Sequence, residues 1–147
     1  MDAPATSQTS IEVVRKKIET DYQEFRQAAR NWSGVYNLFQ FGSAVLTATG
    51  ALVLKTELFS DISMRNDVGA ALAAIATLAI TLMSTGRFKD KWEANRIAAF
   101  AVRDLGYEIE KENASTDDIL TGLQRIGMTR NNAIIGLSPP SKLNLKS

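Results

Sequence analysis

The sequence predicts an all-α membrane protein: a two-transmembrane helical hairpin, preceded by an amphipathic helix and followed by a long cytoplasmic helical extension. Three observations carry this reading. Asn31 to Leu54 is a run of 24 uncharged residues between Arg30 and Lys55. Val68 to Gly86 is a second run, of 19, between Asp67 and Arg87. At ~1.5 Å per helical residue the runs reach about 36 and 28 Å, against a hydrocarbon core about 30 Å thick. The third observation is the placement of basic residues, which falls five, two, five. Arg15, Lys16, Lys17, Arg26 and Arg30 precede the first run, Lys55 and Arg65 lie between the runs, and Arg87, Lys89, Lys91, Arg96 and Arg103 follow the second. Positive charge is retained on the cytoplasmic side, so both termini are expected there and the loop outside.

The competing arrangement is a hairpin buried in a soluble four-helix protein. Asn37, Gln40, Ser43, Thr47 and Thr49 in the first run, and the Ala and Thr content of the second, are compatible with it. Soluble helices of this length, however, keep a charged face toward water, and neither run has one. A domain of 147 residues would also have little surface left with which to wrap two such runs.

Composition narrows the function further. There is no Cys and no His, which removes disulfides, thiolate or imidazole metal sites and Cys or His catalysis together. A net charge of +1 gives no electrostatic case for nucleic acid. No Gly-rich phosphate loop or nucleophile elbow is present, and Asp117 and Asp118 have the placement of helix caps. No enzyme activity, cofactor or metal is expected. The first apolar run follows some thirty residues of charged helical pattern, not a short basic leader, so a cleaved signal peptide is not expected.

In chain order, residues 1–10 read as disordered, with Thr9 opening a helix through the capping box Thr9-Ser10-Ile11-Glu12. Ile11, Val14, Ile18, Phe25 and Trp32 then recur at helical spacing, with Tyr22 and Ala29 on the same face. Glu12 and Lys16 are spaced as an i,i+4 pair. Trp32 and Tyr36 stand where an interfacial aromatic belt belongs. The spans are expected at about 34–54 and 68–86, with a loop from Lys55 to Asp67.

Beyond Gly86 no proline or turn cluster interrupts the pattern until about Asn113, so the second span is expected to continue as one rod. Phe88, Trp92, Asn95, Ala99, Val102 and Ile109 form its stripe, able to pair with the N-terminal helix. Residues 11–113 thus form one hairpin domain with its cytoplasmic helices. Ser115 caps a short helix over 114–136 carrying Ile119, Leu120, Leu123 and Ile126, weakened at Gly127. Residues 137–147, with Pro139 and Pro140, read as a flexible tail.

Each span separates into two faces. Asn37, Gln40, Ala44, Thr47 and Ala51 share a stripe less than about 90° wide, while Leu38, Val45, Leu46, Leu52 and Val53 face elsewhere. Ala70, Ala74, Thr77, Thr81 and Ser84 form the matching stripe of the second span, with Leu72, Ile75, Leu78 and Leu82 away from it. Such small, hydroxyl-bearing faces serve either as helix–helix interfaces or, in an assembly, as the lining of a water-filled path. The spans hold no Asp, Glu, Lys or Arg, which argues against a proton-coupled transporter.

After the second span come Arg87-Phe88-Lys89-Asp90-Lys91-Trp92-Glu93-Ala94-Asn95-Arg96 and then Tyr107-Glu108. Through Trp92-x-x-Asn95-Arg96 and Tyr107 the chain resembles the SLATT group of two-transmembrane prokaryotic proteins and its related domain of unknown function DUF4231, over roughly Ile11 to Asn113. The resemblance implies a bacterial inner-membrane effector of conflict or antiphage systems that forms pores when switched on by a nucleotide-linked sensor. No sensor domain is evident in this chain, so the sensor is expected to be a separate protein. The expected function is therefore a homo-oligomeric pore-forming or ion-conducting effector in the lipid bilayer, with Trp92, Asn95, Arg96 and Tyr107 serving assembly or gating. The alternative is a membrane-anchored scaffold that recruits a partner through its cytoplasmic helices.

Overall fold

The computed structural model describes residues 5–56, 61–111 and 115–137, and its regular elements are four helices. These are α1 (Ala5–Lys55), α2 (Ile62–Thr85), α3 (Phe88–Glu108) and α4 (Thr116–Ile135). Met1 to Pro4 and the expected tail from Ser138 lie outside the described residues. α1 and α2 are each long and apolar enough to cross a membrane.

The chain divides into two compact units. One is an apolar hairpin over residues 32–89, and the other is a charged bundle of residues 1–31 and 90–147. α1 contributes its first part to the bundle and the rest to the hairpin.

The bundle has one apolar core. Val14, Ile18 and Phe25 of α1 pack with Ala98, Ala99, Ala101, Val102 and Leu105 of α3, the following Ile109, and Ile119, Leu123 and Ile126 of α4. Val102 and Ile126 are wholly buried. The expected pairing of the N-terminal helix with the stripe after the second span is present. α4, expected as a short separate helix, is a full third member. It runs 20 residues through Gly127, whose missing side chain faces open space. A mid-helix glycine costs about 1 kcal/mol, and the buried Ile119, Leu123 and Ile126 outweigh it, each worth about 1.5–3 kcal/mol. At Gly122 α4 packs closely on α3, since a Cβ there would lie 3.0 Å from Leu105 Cδ1.

Three helix ends follow local chemistry. Ser115 caps α4 as expected, its Oγ accepting from the Asp118 amide at 3.3 Å. Gly136, in the left-handed region at φ 85°, closes it, with Leu137 N–H donating to Asn132 O at 2.8 Å and Gly136 N–H to Ala133 O at 3.3 Å. Asp61 caps α2 by accepting from Ser63 N–H at 2.8 Å.

The helices differ from the sequence expectation in three places. α1 begins at Ala5, so Thr9 lies within the helix and not at its cap. α2 begins at Ile62, so Arg65 and Asp67 belong to its first turns and not to the loop. Arg65 sits half-buried, its Nε shielded and without a hydrogen-bond partner. Finally, no continuous rod leaves the second apolar run: the helix breaks at Gly86-Arg87, where Arg87 adopts φ 48°. The surface ion pair on α1 is Lys17–Asp21, at 3.2 Å, worth a few tenths of a kcal/mol.

Candidate functional site: the apolar hairpin and its junction

The two helices of the hairpin meet along seams of alternating three- and four-residue spacing. On α1 the seam follows Trp32, Tyr36, Phe39, Ser43, Leu46, Gly50 and Val53, all buried or half-buried, with Ser33, Val35 and Gly42 half-buried beside it. On α2 it follows Arg65, Gly69, Leu72, Ala76, Ala79 and Met83, with Val68 half-buried beside Gly69. Glycines set the closest approach. A Cβ on Gly50 would lie 3.4 Å from Leu72 Cβ and 3.6 Å from the Gly69 carbonyl, and one on Gly69 would lie 2.7 Å from Leu54 Cδ2. Small residues at such crossings let backbones pack where water supplies no driving force.

None of the ten small or polar stripe residues belongs to this seam. Asn37, Gln40, Ala44, Thr47 and Ala51 are all exposed, as are Ala70, Ala74, Thr77, Thr81 and Ser84. Their hydroxyls are satisfied within their own helices: Thr47 Oγ1 donates to Ser43 O, Thr77 Oγ1 to Ala73 O and Thr81 Oγ1 to Thr77 O, each at 2.9 Å. Ser84 Oγ donates to Thr81 O at 3.1 Å. Leu46, Val53 and Leu72, expected on the bulky faces, are instead partly or fully buried in the seam. Two faces per helix were expected and three exist, because the hairpin needs a contact face of its own.

The two exposed stripes lie on the same side of the hairpin. Counted from Ser43 at 100° per residue, the α1 stripe lies about 40–120° round the helix; counted from Ala76 in the same sense, the α2 stripe lies about 80–160° round. The helices run antiparallel, as the Gly50–Leu72 and Leu54–Gly69 approaches require. Equal rotational senses on antiparallel helices point to one side. Bulky side chains stand uncovered elsewhere on the circumference, beside small residues such as Thr49 and Ala71: Leu38, Phe41, Val45 and Leu52 on α1 are 60–71% exposed, and Ile75, Leu78 and Leu82 on α2 are 52–63% exposed. Only 11% of each apolar window is buried, whereas the core helix of a water-soluble protein is mostly covered.

An aromatic stack closes the open end of the hairpin. The Phe88 ring lies between Trp32 and Phe39, with centroids 5.7 and 5.6 Å apart and interplanar angles of 18° and 11°. Trp32 and Phe39 are seven residues apart on α1, so both present to one slot. Phe39, Gly86 and Phe88 were not among the expected site residues, although the seven-residue aromatic spacing is visible in the sequence.

Within the bundle, Asn95 is wholly buried. Its Nδ2 donates to Lys91 O at 2.6 Å and its Oδ1 accepts from Arg130 Nε at 2.7 Å. The Arg130 guanidinium carbon stands 4.5 Å from the Phe25 ring centroid. One polar network thereby ties α1, α3 and α4. Arg130 carried no sequence signal, because its partner lies 35 residues away. Trp92 is half-buried and Arg96 exposed, with the Arg96 guanidinium 5.2 Å from the Trp92 ring centroid. Tyr107 is 62% exposed, on the rim of a cleft of about 330 Å³ that Arg15, Tyr22 and Arg103 also line. Asn95 thus does not share a surface with Tyr107.

Among the described residues no cluster of three or more acidic side chains could hold a metal ion. No family model, curated relative or solved structure matches the chain.

Proposed function

We propose that the chain is the subunit of a homo-oligomeric pore-forming or ion-conducting effector in the bacterial inner membrane. Both termini are cytoplasmic in this reading, and a separate sensor protein gates the assembly in conflict or antiphage defence. The observation that carries it is the sidedness of the hairpin. All ten small or polar stripe residues stay out of the intramolecular seam and gather on one side, with bulky Leu, Ile, Val and Phe exposed elsewhere.

A lone hairpin in lipid would gain from placing apolar side chains all round. Asn37 and Gln40, which bring amide groups to one side only, are accommodated when that side meets other copies and water between them. The absence of ionisable residues from both runs suits passive conduction over proton-coupled transport. The resemblance supplies the setting, and the placement of basic residues supplies the topology.

The test is a flux assay. Reconstituted into liposomes loaded with a self-quenched dye and a potassium gradient, the protein is expected to raise ion flux at least tenfold over protein-free vesicles under activating conditions. Thr47→Leu/Thr77→Leu, which makes that side bulky, should return flux to background while preserving insertion. Tight vesicles at every protein-to-lipid ratio, with the chain inserted and oligomeric, would leave only the scaffold.

A further inference from the structure

We infer that the outward face of α3 is the surface on which a second copy of this chain docks, with the two α3 helices side by side and parallel. The buried residues of α3 fix which face is outward. Counted from Trp92 at 100° per residue, the seven buried residues from Ala94 to Leu105 fall at about 180–340°. Phe100, at about 80°, stands opposite the middle of that arc. It is 46% exposed, and Tyr107 beside it, at about 60°, is 62% exposed.

Charge is sorted across this face. Exposed Arg103 and Arg96 lie at about 20° and 40°, on one edge. Half-buried Glu93 and exposed Asp104 lie at about 100° and 120°, on the other. The two aromatic rings run between the edges. Each arginine lies over a ring, Arg96 with its guanidinium carbon 5.2 Å from the Trp92 centroid and Arg103 5.0 Å from that of Phe100. Stacking orders a guanidinium before a partner arrives, which lowers the cost of binding. Within the chain Arg103 reaches Asp104 at 4.0 Å, the outer limit of an ion pair. Aromatic and Arg side chains are those that dominate the energetics of protein interfaces.

A face basic on one edge and acidic on the other complements itself in one orientation. A two-fold axis parallel to α3 sets the basic edge of each copy against the acidic edge of the other. Arg103 is then one residue, about 1.5 Å along the axis, from Asp104 of the second copy. Arg96 is three residues, about 4.5 Å, from its Glu93. Phe100 and Tyr107 meet their own counterparts across the axis. Antiparallel helices would instead bring like edges together, Arg beside Arg and carboxylate beside carboxylate. The pattern selects a second copy over a uniformly acidic or basic partner, whose single sign would suit one edge and oppose the other. The oligomer is the one proposed above, but the face does not depend on conduction.

Disulfide trapping of the full chain in liposomes tests the face, since the chain has no native cysteine. On oxidation, Phe100→Cys and Tyr107→Cys should each give about fivefold more linked dimer than Met128→Cys, an exposed position on α4. A parallel pair joins both positions to themselves, whereas an antiparallel pair joins at most one. Arg103→Glu and Asp104→Arg, each added to Tyr107→Cys, should cut the dimer about fivefold by setting like charges opposite one another. The double exchange Arg103→Glu/Asp104→Arg should restore it to within about twofold. Absence of dimer at both Phe100→Cys and Tyr107→Cys, in protein shown to be inserted and helical, would overturn the inference. So would a dimer at one of the two positions only, or one indifferent to the charge exchanges. Flux is read separately: trapped dimers without flux would refute the pore and keep the face, and flux without trapped dimers would do the reverse.

Discussion

Ile126→Asp is expected to unfold the charged bundle while leaving membrane association intact. Ile126 is wholly buried among α1, α3 and α4, where a carboxylate would be stripped of water. The substitution removes about 2–3 kcal/mol of apolar burial and adds several more for a desolvated charge. Together these approach the whole stability of a small domain, about 5–15 kcal/mol. Limited trypsin digestion of membranes should cut α3 and α4 at Arg103 and Arg125 at least tenfold faster than in the parent protein. The protein should still resist alkaline carbonate extraction, because the hairpin is a separate compact unit. A variant as protease-resistant as the parent would show that α4 is not a core helix of the bundle.

Arg130→Ala is expected to have the next largest effect, about 2–4 kcal/mol. Buried Asn95 would keep its bond to Lys91 O but lose the donor at Oδ1, an unsatisfied acceptor worth about 1–3 kcal/mol. The loss of the cation over Phe25 adds about 0.5–2 kcal/mol. In mild detergent the thermal midpoint followed by circular dichroism should fall by about 10 °C or more. Arg130→Lys should recover little, since an ammonium lacks the fork that bonds Asn95 while lying over the ring. Asn95→Leu/Arg130→Met should recover much of the loss, because removing both polar partners leaves nothing unsatisfied. Exposed Arg15→Ala is the control. A midpoint for Arg130→Ala equal to that control would mean the network contributes nothing.

The parts of this fold legible from sequence are those in which local pattern and final packing agree. The buried face of early α1 was visible at Val14, Ile18, Phe25 and Ala29, and that of α3 at Asn95, Ala99, Val102 and Ile109, because amphipathic periodicity survives into the core unchanged. Ser115 was legible as a cap because its oxygen meets an amide three residues away.

Other features depend on distant partners. Asn95 could be placed on the apolar stripe, but its burial with Arg130 required knowing that α4 packs there. Ser43 and Leu46 fell into the seam because Gly50 and Gly69 set where the helices cross, and periodicity does not say which of several uncharged faces does so. Arg87 was the sharpest departure. A helical pattern with no proline between Gly86 and Asn113 turns at Arg87, beside Phe88, whose ring stacks on Phe39 49 residues earlier in the chain. For the candidate site, the composition of each stripe was readable. Their shared side was not, since it follows from the antiparallel crossing.

That shared side is the central claim, and cysteine accessibility tests it most directly. Thr47 and Thr77 lie on it near the middle of the two runs, while Val45 and Leu78 lie on the bulky surfaces at similar depth and are 64% and 63% exposed. The parent chain has no cysteine, so each single substitution gives an unambiguous signal. A thiol reacts with a charged, membrane-impermeant reagent only where water lets it ionise. Under activating conditions Thr47→Cys and Thr77→Cys should be modified at least tenfold faster than Val45→Cys and Leu78→Cys. Equal and negligible modification at all four positions, in protein shown to be inserted, would contradict a water-filled path along this side of the hairpin.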